Sequence, residues 1–167
     1  MENVSKSDRI RLKYNLGFTL MEIIIAMAIF AIVTGALLGN FFTSLTKGRD
    51  SRRKQDLDLV SKSLELYYND HKAYPLKVSF PAWGTLFWDG TTTYMQKLPE
   101  DPKKASGYSY YYDSDATGSL YKLYGCIENT KDSSPNFKSD GYTGTNCGPC
   151  ISGNLCTYGI SSLNTTP

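Results

Sequence analysis

Gly17-Phe18-Thr19-Leu20-Met21-Glu22-Ile23-Ile24-Ile25 decides how this chain is read, because the twenty residues from Ile23 to Phe42 continue it without a single charge. As a helix, about 20 apolar residues cross the ~30 Å of hydrocarbon in a bilayer. Residues 18–42 are therefore expected to span a membrane, with Glu22 as the one charged side chain in the run. A carboxylate in such a place costs roughly 2.5–3.5 kcal/mol at a helix centre unless something pairs with it. The stretch thus predicts both a membrane helix and a missing partner for Glu22.

Upstream, residues 1–17 are polar and basic, with Lys6, Arg9, Arg11 and Lys13 against Glu2 and Asp8. They show no apolar periodicity and read as a leader. An ordinary secretory signal also has a basic start and an apolar middle, and Ala26-Met27-Ala28 imitates its cleavage site. That site, however, lies inside the apolar run, with only Ile23 to Ile25 between it and a glutamate, so no adequate apolar segment precedes it. The apolar segment is expected to stay on the mature chain.

Downstream of Phe42 the pattern turns amphipathic. Leu57, Val60, Leu64 and Tyr67 follow one another at helical spacing and share one face. Asp50 with Lys54, Arg52 with Asp56, Lys54 with Asp58, and Asp58 with Lys62 stand four residues apart and are expected on a solvated face. Pro75 disfavours helix at the residue before it, so the helix should end near Lys72 to Tyr74. Continuous from Phe18 to His71, it would be about 80 Å long at ~1.5 Å per residue. A domain of this size has no need of such a rod for its own core, which calls for something else to pack along it.

Residues 76–107 are broken by Pro81, Gly84, Gly90, Pro99, Pro102 and Gly107 and read as an irregular excursion anchored by Trp83, Phe87 and Trp88. Tyr108 to Asp113 and Ser119 to Glu128 alternate as strands, joined by Ser-Asp-Ala-Thr-Gly, which is turn chemistry. Tyr108, Tyr110 and Tyr112 fall on one face of the first strand, and Tyr121, Leu123 and Ile127 on one face of the second. Residues 129–167 are rich in Gly, Ser, Asn, Thr and Pro, with at most a short strand around Cys156 to Ile160. The organisation expected is a leader (1–17), a long helix (18–73, amphipathic from 43) and a head (74–167) with a hairpin over 108–128.

All four cysteines, Cys126, Cys147, Cys150 and Cys156, lie in the last third of a chain that begins with an export signal, which favours disulfides. Three pairings are open. Residues 18–167 carry 14 positive and 14 negative groups, and a neutral body argues against a dedicated nucleic-acid binder.

The nine residues from Gly17 to Ile25 resemble the processing site of type IV prepilins and pseudopilins. The resemblance implies an α+β pilin-like fold, with the long N-terminal helix packed against a small antiparallel sheet. It further implies cleavage after Gly17 by a prepilin peptidase, methylation of the new N-terminus at Phe18, and pairing of the Phe18 amine with Glu22 of a neighbouring copy. The subunit would then be a structural polymer component with no enzymatic activity and no cofactor, built into a helical homopolymer. An inner-membrane assembly platform and minor pilins would be its partners, and it would pass from the inner membrane, head outside the cytoplasm, to a periplasmic or extracellular filament. Leu64 to Pro75 and Leu98-Pro99-Glu100-Asp101-Pro102 are similar to the helix end and proline-rich loop of the major pseudopilin of type II secretion. The likeness is good over 14–75, patchy to 128 and absent beyond.

Two departures accompany it. Where pilins commonly have a proline at the twenty-second mature position this chain has Gly39, and Gly35-x-x-x-Gly39 reads either as a close-packing face or as a weak point of the helix. Family members often bind calcium through C-terminal loop carboxylates. Asp113 and Asp115 are the nearest candidates, but they lack the further ligands of a calcium loop and suit a turn better.

Cys147-Gly148-Pro149-Cys150 also matches the active-site tetrapeptide of thioredoxin-like proteins, so the alternative of another class is a membrane-anchored thiol–disulfide oxidoreductase using the Cys147–Cys150 pair. That chemistry needs the first cysteine at a helix N-terminus after a strand, and no helical pattern follows here. His71, the sole histidine, is read as a helix cap. Basic residues 47–54 suit anionic lipid.

Overall fold

Thr19 starts the long helix: its Oγ1 accepts a hydrogen bond from the Glu22 N–H (3.2 Å), which places a threonine at the N-cap and a glutamate three residues on. The computed structural model describes residues 17–162 and 166–167, the side chains of 37–40 excepted. The leader reading over residues 1–16 and the role of Gly39 lie outside the described residues. Helix α1 runs Leu20–His71. Lys72 then takes a left-handed conformation (φ 57°), its N–H still bonded to the Tyr68 carbonyl (2.7 Å), and the chain leaves toward Pro75.

The chain divides into two compact units between Phe41 and Phe42. In the first, the apolar side chains from Phe18 to Val33 lie exposed. The segment that includes them is the one helix, among the described residues, long and apolar enough to cross a membrane by length and composition.

In the second unit, Leu57, Val60 and Leu64 are fully buried, with Tyr67 packed at their edge. Five strands accompany them: β1 Phe87–Trp88, β2 Thr93–Met95, β3 Tyr111–Ser114, β4 Tyr121–Gly125 and β5 Tyr158–Ser161. Strands β3, β4 and β5 form an antiparallel sheet with β4 in the centre. The fold is α+β and pilin-like. Tyr110, Tyr112, Tyr121 and Leu123 join the helix core, and Phe80 stacks on Tyr112 with ring centroids 4.0 Å apart. The excursion over 76–107 contains a short antiparallel pair, β1 with β2, where irregular chain was expected. Asp89 makes that pair possible, since its carboxylate accepts from the N–H groups of both Thr91 and Thr92 and closes the connection.

Tyr124 points to the opposite side of β4 and belongs to a second cluster with Tyr142 and the four cysteines. The tail is thus the cover of the sheet's far face, held by Cys126–Cys150 and Cys147–Cys156. Thr157, fully buried, ties it to the strand end by accepting from the Ile127 N–H through Oγ1 (2.8 Å).

Candidate functional site

Gly17, Phe18 and Thr19 precede the first helical turn and are exposed. The Gly17–Phe18 bond therefore sits in non-helical backbone, where a protease can take the chain in extended form without first breaking helical hydrogen bonds. A Cβ built on Gly17 meets nothing within 4 Å, so this structure does not itself require glycine there.

Glu22 shares a shallow trough on the helix surface with Thr19, Met21, Ile25, Ala26 and Ile29. Among the described residues no lysine, arginine or histidine pairs with its carboxylate. Its acid near a helix N-terminus is favourable by ~0.3–1 kcal/mol, less than the cost of placing it in hydrocarbon.

The opposite situation prevails three turns into the second unit. Arg53, 0% exposed, donates through Nε and Nη2 to Asp101 (2.7 and 3.0 Å) and through Nη1 to Asp50 (2.9 Å) and Glu128 (2.7 Å). Arg49 adds a bidentate grip on Glu128 (2.9 and 2.8 Å), and Lys103 reaches the same carboxylate at 3.2 Å. Asp50 in turn accepts from the N–H groups of Glu128 and Asn129. Burial works against both charges, but the hydrogen bonds win: the Arg53 guanidinium is held more firmly protonated than usual, and Glu128 is lowered to about 2. Helix, proline-rich loop and the segment that follows β4 meet on one guanidinium.

This cluster alters the expected solvated face. Lys54 turns to Asp132 (2.6 Å), Asp50 to Arg53, and Asp56 lies buried, accepting from the Tyr110 hydroxyl (2.7 Å). Burial raises Asp56, and the Tyr110 hydrogen bond partly offsets it. Of the expected pairs, Asp58 with Lys62 remains exposed at 2.7 Å and Arg52 still reaches Asp56 at 4.0 Å. The signal for the cluster was in the sequence: Arg53 stands one turn before Leu57 on the same apolar face, and a charge on a buried stripe requires partners.

The weaker candidates resolve into structural roles. Asp113 pairs with Lys77 (3.1 Å), and Asp115 accepts from the Leu120 N–H and the Thr117 hydroxyl within its own turn. His71 is no helix cap: its Nε2 meets Asp89 at 2.8 Å while its ring stacks on Tyr67. The oxidoreductase alternative is corrected by the pairing, since Cys147 and Cys150 are each bonded to a different cysteine and not to one another. Their tetrapeptide is a turn. Gly148 has φ +81°, and a Cβ there would lie 2.1 Å from the Gly107 carbonyl oxygen, so the glycine serves close packing of two loops.

In comparison with known proteins, the family described as the prokaryotic N-terminal methylation motif matches residues 12–38. No curated protein and no solved structure matches the chain at a significant level.

Proposed function

We propose, for a chain that carries the type IV prepilin signature at its membrane-length helix, that it is the structural subunit of a helical pilus-like filament. A prepilin peptidase cuts between Gly17 and Phe18 and methylates the new amine; the mature chain waits in the inner membrane with its head outside the cytoplasm. Assembly then brings the Phe18 amine of one copy to Glu22 of another, and the exposed apolar stems pack side by side. One observation carries the reading. The signature opens an apolar run, residues 18–42, whose single charge, Glu22, has no cationic partner among the described residues. A lone carboxylate on an otherwise apolar surface is complete only when another chain supplies the counter-charge.

The head fits a subunit role, with an antiparallel sheet mounted on the helix and a crosslinked tail over its far face. Within it, the Leu98 to Pro102 stretch brings Asp101 to Arg53 and so ties the proline-rich loop to the helix. The test is coexpression with a prepilin peptidase followed by mass spectrometry of the intact product. A mass beginning at methylated Phe18 supports the reading; an uncut chain, or one cut near Ala28, refutes it. Glu22→Ala should still be cut yet enter filaments poorly, and wild-type incorporation of that variant would defeat the pairing.

A further inference from the structure

Where α1 leaves the apolar run, Phe42, Thr43, Thr46 and Lys47 line a cleft of about 270 Å³ whose other wall is Glu128, Asn129 and Thr130. Phe42 is the last residue of the twenty-residue apolar run, so by chain length this cleft falls at the headgroup level of the membrane that the run crosses.

Its electrostatics single out one residue. Arg49, Arg53 and Lys54 are committed to Glu128, Asp101 and Asp132 respectively. Lys47 is exposed, and among the described residues no carboxylate lies within ion-pair distance of it. Glu128 does not repel an incoming anion strongly, because its Oε1 already accepts from Arg49 and Arg53 and its Oε2 from Arg49 and Lys103. The cluster around Glu128 balances three cations (Arg49, Arg53, Lys103) against three carboxylates (Asp50, Asp101, Glu128). Lys47 is the surplus charge at its mouth.

We propose that this cleft binds the headgroup of an anionic phospholipid in the leaflet nearest the head, with the Lys47 ammonium on the phosphate and the Phe42 ring against the lipid's apolar portion. The contact seats the head on the leaflet before assembly and is surrendered when the subunit leaves the membrane. This inference rests on the membrane-anchored state described above.

The test uses the full chain reconstituted in vesicles of phosphatidylcholine, alone or with roughly 30% phosphatidylglycerol, then released in mild detergent for native mass spectrometry. Wild type and Lys47→Arg should retain phosphatidylglycerol in preference to phosphatidylcholine. Lys47→Gln should retain about fivefold less. Arg52→Gln, an exposed cation of the same helix outside the cleft, should match wild type. Equal retention of the two lipids, an unaffected Lys47→Gln, or equal losses for Lys47→Gln and Arg52→Gln would overturn the site. Complete displacement by millimolar inorganic phosphate would mark a free-phosphate site and overturn the lipid assignment. Alkaline extraction of the same vesicles separates the two levels of argument. A chain that washes off defeats the anchored state and this inference together, whereas one that stays inserted without lipid preference defeats this inference alone.

Discussion

Glu22 and Arg53 lie on one helix, 31 residues apart, and have opposite fates. Each is a charge on an apolar face. Arg53 is fully buried and finds three carboxylates within its own chain, brought by the helix itself, the proline-rich loop and the segment that follows β4. Glu22 finds none among the described residues. The difference separates the two halves of one helix: the second half finds its counter-charges within the head, whereas the first carries a carboxylate that no cation among the described residues pairs with. Charge placement, more than hydrophobicity, marks where the monomer's own structure stops.

The largest effect expected from breaking this contrast is at Arg53. Arg53→Met in the full chain takes from buried Asp101 its cation and from Asp50 and Glu128 one charged donor each, and should cost ~3–5 kcal/mol in denaturant unfolding. A cost below ~1 kcal/mol would mean that the cluster does not hold helix and head together. Next come the crosslinks. Replacing Cys126 and Cys150 by serine should cost ~2–4 kcal/mol, and more than replacing Cys147 and Cys156, because the bonded residues are 24 apart in the first case and 9 in the second.

Acid should reach the Arg53 end selectively. Glu128 is lowered from 4.5 to about 2, so its contribution is complete above about pH 4.5 and drains as pH falls toward 2. Wild type should therefore lose on the order of 3 kcal/mol more than Glu128→Gln across that window. Asp56 acts with the opposite sign: raised by burial, its ionisation opposes folding at neutral pH, and that penalty eases as it protonates. A smaller effect follows from Tyr110→Phe, which removes the hydroxyl from Asp56 and should cost ~1–3 kcal/mol.

The smallest effect is the most telling. Glu22→Gln should leave the unfolding of the head unchanged while reducing filament incorporation, measured by pelleting of assembled polymer. A destabilised head would show that Glu22 has an in-chain role, and the contrast with Arg53 would then collapse.

Much of the architecture was legible beforehand because it is written in local patterns. The apolar run announces the stem, and Leu57, Val60 and Leu64 repeat at helical spacing because that face must be buried. Tyr110 and Tyr112 alternate along the segment leading into β3 for the same reason, although Tyr108 left that face for the tail's cluster. Long-range partners were not legible. Lys54 stands four residues from both Asp50 and Asp58, and nothing local says that it turns instead to Asp132, 78 residues on. The pair of β1 and β2 was hidden among prolines and glycines because Asp89 forms its turn with side-chain hydrogen bonds that periodicity does not register.

By itself, then, the sequence determined the stem: twenty uncharged residues behind Glu22 are a statement about solvent, and solvent preference is local to each residue. It also determined that four cysteines in this setting would pair. Only the tertiary structure decided how, joining Cys126 with Cys150 and Cys147 with Cys156, because pairing depends on which loops approach, and here Gly148 lets its loop close on Gly107. It likewise decided which carboxylates Arg53 would meet: its place on the apolar stripe is local, but Asp101 and Glu128 come from distant segments that only folding brings together.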